Sequence, residues 1–359
     1  GFVRNAGKGS MTMVIVYVDD LIFVGSTTEL EKILPLIRSK IDMEEPTPLS
    51  KYLGVHHHIE RNDEGTSMMI DMRDYFKSAA HVFEKECGVT LKPVPTPYAP
   101  ELKQSDMDAL LAKPGKWSKN AASYVMRLMY GARMAHPGVM TAVCRLSREL
   151  SRWTADSDRK LQRVMAYVAS STDQALHGNL HFRDRDHLKL VAWPDADLCG
   201  DERASRGAAG FVLERVGLGG RSFPLSWGSK RQTATASHTA EAELVSLSSC
   251  LRSEVLPCQA LLEKILGRPI PAEIQEDNAA CIVAAMKGFS PSLRYLRRTQ
   301  RIAIGTIHDI LTHKPREGEG TVKLMKTDTL NQKGDLFTKA LQRPAFERSL
   351  EMIGWRPVQ

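Results

Sequence analysis

The stretch LKLVAWPDADLCGDERASRGAAGFVLERV, residues 188–216, decides the fold. Leu190, Ala192 and Trp193 bring the apolar bulk of a strand, and that strand runs out into Asp195 and Asp197. Strand side chains alternate faces, so two acids two residues apart project the same way. Carboxylates gathered at a strand end suggest a metal site, because hard divalent cations take oxygen ligands. Residues 208–213 have the small and apolar content of a buried neighbouring strand, and residues 223–227 follow the glycine turn Gly217-Leu218-Gly219-Gly220. The segment therefore predicts a three-stranded antiparallel meander.

Further acids downstream sit where a fold could return them to that strand end. Glu241 and Glu243 lie in the first turn of a helix-prone stretch, residues 239–266, where Thr239 is placed to cap and acids suit the helix dipole. Asp277 closes a short strand over residues 273–276 and opens the next helix, and Asp335 begins a late helical run over 336–341. Any one of these, alone, reads more simply as a solvated surface carboxylate or a cap.

Their order changes that reading. The chain carries Asp195-Ala196-Asp197-Leu198-Cys199-Gly200-Asp201, Ser226-Trp227-Gly228-Ser229-Lys230-Arg231-Gln232, Ala240-Glu241-Ala242-Glu243-Leu244, Asp277-Asn278-Ala279-Ala280 and Gly334-Asp335-Leu336-Phe337-Thr338-Lys339-Ala340-Leu341, in that sequence. These blocks resemble type-1 RNase H, and specifically the Pol polyproteins of copia-type LTR retrotransposons. The resemblance implies cleavage of the RNA strand in an RNA:DNA hybrid by two Mg2+ ions about 3.5–4 Å apart. It assigns Asp195 as the bridging ligand, with Glu243, Asp277 and Asp335 completing the set. Glu241 is expected to support the helix start. Asp197 is left open.

Near the start, residues 13–25 read MVIVYVDDLIFVG, two apolar β-rich arms around Asp19 and Asp20. The hairpin resembles the reverse transcriptase palm, whose paired aspartates help to hold catalytic magnesium. A further carboxylate and the fingers belong upstream in that family, so this chain alone is expected to polymerise poorly. The expected fold class is α/β (α+β): a palm hairpin and helical thumb or connection, then an RNase H-like mixed sheet flanked by helices. The expected division is 1–72 palm, 73–180 thumb and connection, 188–343 RNase H-like, and 344–359 C-terminal helix and tail.

Between these ends the pattern predicts a helix over 27–41, a strand pair turning at Asn62-Asp63-Glu64-Gly65, and a helix over 74–87 stopped by Gly88. A proline-stiffened connector follows, through Pro93, Pro95, Pro97 and Pro100. Helices are then expected over 121–135, 138–153 and 156–170, with 177–186 as linker. In the run His56-His57-His58 only His56 and His58 share a strand face, and a metal role is not favoured.

The 359 residues are 42% hydrophobic and 25% charged, enough for a sizeable core and more than one domain. No apolar run reaches membrane-span length and no secretory leader pattern is expected, so an intracellular setting without a membrane partner is the expectation. The six cysteines form no CxxC pair, which argues against a zinc or disulfide framework. A net charge of +7 leans toward a polyanionic partner. The resemblance names it as an RNA:DNA hybrid or primer-template, with the rest of the Pol polyprotein as a possible protein partner. Lys230, Arg231, Gln232 and Asn278 are candidate nucleic-acid contacts. Arg294, Arg297, Arg298 and Arg301 join them as a predicted stripe on one helix face. Ala240, Glu276, Ala279, Arg301 and Ala303 depart from the family pattern, so a non-catalytic nucleic-acid-binding remnant stands as the alternative.

Overall fold

The computed structural model of the chain describes residues 2–5, 11–198 and 206–358; Cys199, Gly200 and Asp201 of the first acidic block lie outside them. Strands β1 (Phe2–Asn5), β2 (Met11–Tyr17) and β3 (Asp20–Val24) form an antiparallel sheet in that order. β2 and β3 are the two arms expected around the paired aspartates, with Tyr17 opposite Asp20 and the turn made by Val18 and Asp19. Helix α1 (Thr27–Arg38) follows, its first turn capped by the Ser26 hydroxyl, which accepts from the Glu29 amide.

A second sheet opens with β4 (Lys51–Tyr52), β5 (Val55–Asn62) and β6 (Gly65–Asp71), and five helices pack behind it: α2 (Arg73–Cys87), α3 (Gln104–Leu111), α4 (Ala121–Met134), α5 (Met140–Glu149) and α6 (Ala155–Ser170). Phe83, Leu128, Leu146, Leu161 and Met165 are fully buried between them, which accounts for the apolar spacing of these segments. The expected helix over 138–153 is α5 with a 3-10 turn at each end, Pro137–Val139 and Leu150–Arg152.

The stretch read as linker is instead a strand, β7 (Gln174–His181), paired along β6 from Gly65↔His181 to Ile70↔Leu176. Only Ala175, Leu176 and Gly178 of β7 are buried, so its polar far half carries no apolar alternation to signal it.

The third sheet holds β8 (Lys189–Asp197), β9 (Ala208–Val216), β10 (Ser222–Arg231), β11 (Ala272–Glu276) and β12 (Val322–Lys326), ordered β10-β9-β8-β11-β12. β8, β9 and β10 are the predicted antiparallel meander. β11 runs parallel to both β8 and β12. Helices α7 (Thr239–Cys250) and α8 (Leu256–Leu266) continue through a π-helical turn, Leu251–Val255, to make the long helix expected over 239–266. Its N-cap is His238 rather than Thr239: the His238 backbone is extended, and its Nδ1 accepts from the Glu241 amide at 3.3 Å. α9 (Ala279–Lys287), α10 (Leu296–Thr299) and α11 (Ile304–Thr312) complete this layer.

Adjacent residues of β9 serve different cores, as a pleated strand requires. Leu213 packs with Leu190, Leu244, Leu247, Cys281 and Ile307 under α7, α9 and α11. Val212 joins the core of α4 and α5, together with Leu336 and Phe337. Trp227 on β10 tightens that second face, its indole N–H donating to the Ala132 carbonyl of α4 at 2.9 Å. The third sheet is therefore covered on both sides, and the helical region forms one of the covers.

The chain ends in α12 (Arg343–Met352) and β13 (Trp355–Pro357), and β13 pairs with β7 to extend the second sheet. His136, buried beneath α4, stacks on Trp355 with ring centroids 4.2 Å apart. Residues near 60, 178 and 356 thus belong to one sheet, which runs across the expected divisions at 72, 180 and 344. Among the described residues no helix is long and apolar enough to cross a membrane.

Candidate metal centre and nucleic-acid interface

Parallel pairing sets the site. Leu190, Val191 and Ala192 of β8 lie opposite Ala272, Glu273 and Ile274 of β11, so the strands run out at the same sheet end, bringing Asp195 and Asp277 together. Such carboxyl ends are where open α/β sheets collect ligands. α7 crosses behind β8, and the Ser246 hydroxyl donates to the Asp195 carbonyl at 2.8 Å and the Gly210 carbonyl at 3.3 Å. Glu243, one turn before Ser246, shares its face. Carboxylate oxygens of Asp195, Glu243 and Asp277 lie within 4.8 Å of one another.

Asp335 reaches the same place from a 3-10 turn, Lys333–Phe337, rather than from the expected helix over 336–341. Two glycines let this turn lie flat on the sheet. A Cβ on Gly334 would come 2.6 Å from the Trp193 carbonyl and 2.7 Å from Asp195 Cβ, and one on Gly210 would come 2.6 Å from the Phe337 carbonyl. Gln332 stitches the strands beneath it, its amide N–H donating to the Pro194 carbonyl at 3.2 Å and the Gln275 carbonyl at 3.4 Å. From the other side, the Thr141 hydroxyl of α5 donates to the Leu336 carbonyl at 2.7 Å. Arg145 donates to the Thr338 carbonyl at 3.0 Å and pairs with Asp197 at 3.5 Å, which turns Asp197 toward the helical region.

Packing acids together away from water disfavours their charged forms. Burial, then the neighbouring Asp335 and Asp277, pushes the Asp195 carboxyl up, against the pull of Lys339 and Thr338. Burial, then Asp195, Glu276 and Asp277, pushes Glu243 far above the carboxylate range. Glu276 is also fully buried and raised by burial and by Asp277 and Asp195, although its Oε1 accepts from the Asn278 amide at 3.0 Å. Asp335 is raised too, chiefly by burial. Glu243 is 3% exposed and its Oε2 has no hydrogen-bond partner among the described residues. An all-oxygen cluster with an orphaned buried carboxylate oxygen fits a hard divalent cation.

Glu241 has a different surrounding. Its carboxylate accepts from the Ser237 amide at 2.7 Å, the Tyr295 hydroxyl at 2.8 Å and the Gln300 amide at 3.1 Å. It ties α7 to the loop before it and to the arginine-bearing segment.

That segment does not form the expected helix face. Arg294 follows a 3-10 turn, α10 spans only Leu296–Thr299, and Arg301 has φ 56°, in the left-handed region. Leu293, Leu296 and Ile302 are drawn into the core and Gln300 onto Glu241, which breaks the helix into turns and leaves Arg294, Arg297, Arg298 and Arg301 exposed without a common stripe. Lys230 and Arg231 are exposed at the end of β10. Gln232 is 3% exposed and donates to the Ala242 carbonyl at 2.8 Å, so it holds the α7 approach rather than facing a ligand. Asn278 caps α9, accepting from the Cys281 amide at 2.9 Å.

Asp19 and Asp20 stand apart, exposed at the β2–β3 turn. Val18 beside them is 80% exposed with φ 52°, a conformation that β-branched residues seldom adopt and that tight functional turns concentrate. Among the described residues no third acid joins them to form a ligand group.

Thr338 and Lys339 were not assigned from sequence, although both lie in the block around Asp335. The Thr338 hydroxyl donates to Asp195 Oδ2, and the Lys339 ammonium meets Asp335 Oδ1 at 2.5 Å and Asp195 Oδ1 at 3.3 Å. Their spacing of three and four residues from Asp335 was the available signal.

No family model matches the chain. It is 28% identical over 355 residues to the retrovirus-related Pol polyprotein from transposon RE1 of Arabidopsis thaliana, covering 98% of this chain and 22% of that protein. It is 27% identical over 356 residues to the corresponding polyprotein from transposon RE2 of the same plant, again covering 98% of this chain and 22% of that protein. Among solved structures, RNase H1 from the halophilic archaeon Halobacterium salinarum NRC-1 aligns with 42% of this chain and 94% of its own, at 14% identity and a TM-score of 0.28.

Proposed function

We propose that this chain, similar along 98% of its length to retrovirus-related Pol polyproteins from transposons, carries on its third sheet a ribonuclease H that cuts the RNA strand of an RNA:DNA hybrid. The observation that supports this most is the meeting of Asp195, Glu243 and Asp277 within ligand distance, with Asp335 brought alongside by the glycine-lined turn. Bound at these acids, a pair of Mg2+ ions supplies the Lewis acidity that phosphodiester hydrolysis needs. Asp195, Glu243, Asp277 and Asp335 are the residues that would hold them.

The remaining work falls to the chain's own groups. Thr338 fixes the Asp195 rotamer, and Ser246 holds the backbone beneath it. Lys230, Arg231, Arg294, Arg298 and Arg301 offer cations to the phosphate backbone, and Asn278 a polar group beside the acids. A hybrid is distinguished by shape and 2′-hydroxyls rather than base edges, so weak sequence preference is expected. The hairpin acids Asp19 and Asp20 are assigned to a polymerase centre.

The test is cleavage of an end-labelled RNA:DNA hybrid in Mg2+, with single-stranded RNA and duplex DNA alongside. RNA fragments from the hybrid alone are expected, and their loss on chelation. A chain that shifts the hybrid on a gel and leaves the RNA whole is a binding remnant.

A further inference from the structure

We propose that Lys339 fills the position of the second cation, so that this chain takes one divalent ion tightly and a second only when the ammonium leaves. The inference rests on the metal-centre reading above and concerns how that centre is filled. Asp195 divides the cluster into unlike halves. Toward Glu243 and Asp277 there are only carboxylates, including the buried Glu243 Oε2 that has no partner among the described residues. Toward Asp335, the Lys339 Nζ lies 3.3 Å from Asp195 Oδ1 and 2.5 Å from Asp335 Oδ1, using the oxygens that a second ion must share.

The other Asp195 oxygen accepts from the Thr338 hydroxyl, which holds the carboxylate with Oδ1 toward the ammonium. Lys339 starts four residues after Asp335, and its side chain is 36% exposed. It therefore reaches the acids from their open side and has water to withdraw into. An ammonium and a divalent ion about 4 Å apart repel strongly in a partly buried setting, so the two exclude each other. The first half feels this competition less, because among the described residues the ammonium pairs with Asp195 and Asp335 and not with Glu243 or Asp277.

The experiment is a Mn2+ titration of the whole chain, read as free Mn2+ by electron paramagnetic resonance in the absence of nucleic acid. The unaltered chain should show one tight site and a second at least about tenfold weaker. Lys339→Met should bring the second site to within about threefold of the first, and Lys339→Arg should keep the disparity. A variant-free measurement runs in parallel: reductive methylation of Lys339, read by mass spectrometry, should rise several-fold as the second site fills. Identical isotherms for the unaltered chain and Lys339→Met, or methylation unmoved by Mn2+, overturn this proposal while the first site stands. No Mn2+ binding in either protein overturns it together with the metal-centre reading.

Discussion

Two acid sites in this chain, the Asp19–Asp20 hairpin and the cluster around Asp195, are opposites in surroundings. Asp19 and Asp20 stand in water at a hairpin tip, whereas Asp195 is 1% exposed and ringed by Glu243, Glu276, Asp277 and Asp335. Exposed carboxylates are screened and can sit side by side at little cost. Buried ones must be protonated, matched by a fixed cation or given a metal ion. The difference teaches that the acids which strain the fold are those most ready to bind a cation, and that the sequence motif alone does not separate the two cases.

The largest effect that would sharpen this contrast comes from Asp195→Asn. It should lower Mg2+-dependent hybrid cleavage by at least about a thousandfold, because it removes the ligand shared by both halves of the site. Melting in the absence of metal should hold or rise, since a buried charge among like charges is gone. Retained cleavage in that variant would break the assignment.

The next effect is on pH. Asp195 is pushed up to about 7, and Glu243, Glu276 and Asp335 are raised as well, so these acids hold more protons in the folded chain than in the unfolded one above about pH 4, while buried His136, with His57 and His177, is lowered and holds fewer below about pH 6.5. The acids' contribution is complete below the ordinary carboxylate range and is lost as pH climbs toward neutrality. Above about pH 6.5 the histidines no longer oppose this, so metal-free melting temperatures should fall between roughly pH 6.5 and pH 8, and Mg2+ should flatten the fall. A flat metal-free profile would show that the acids are better solvated than their burial implies.

A smaller effect is expected at the back of the site. Thr141→Val removes the bond from α5 to the Leu336 carbonyl and should cost about 1 kcal/mol in urea unfolding, with Mn2+ affinity weakened two- to threefold. The smallest belongs to the hairpin. Asp19→Asn with Asp20→Asn should change stability by less than about 0.5 kcal/mol, since neither side chain is buried.

Much of the third sheet was legible because its strands announce themselves. The apolar start of β8, the glycine turn before β10 and the acids at strand and helix ends each obey a local rule. The order of the acids pointed at Asp195, Glu243 and Asp277, whose oxygens lie together, and at Asp335, which shares Lys339 with Asp195. The arginine segment misled because helical spacing was read without its burial: Leu293, Leu296, Gln300 and Ile302 are pulled inward and outweigh helix propensity. β7 was hidden because its partners, β6 and β13, lie more than a hundred residues away in either direction, and half of it faces solvent. Gln232 belongs to a motif rich in basic residues, yet its burial depends on the approach of α7, which no local pattern encodes. Lys339 was visible as a motif letter but not as a cation bridging Asp195 and Asp335, because that contact joins residues 144 positions apart.

The most direct test of the contrast between the two acid sites is a crystal of the chain soaked in Mn2+ and measured at the manganese absorption edge. Anomalous density should appear among Asp195, Glu243 and Asp277, with the Asp19–Asp20 turn bare. Density at the hairpin with none at the buried cluster would contradict the account.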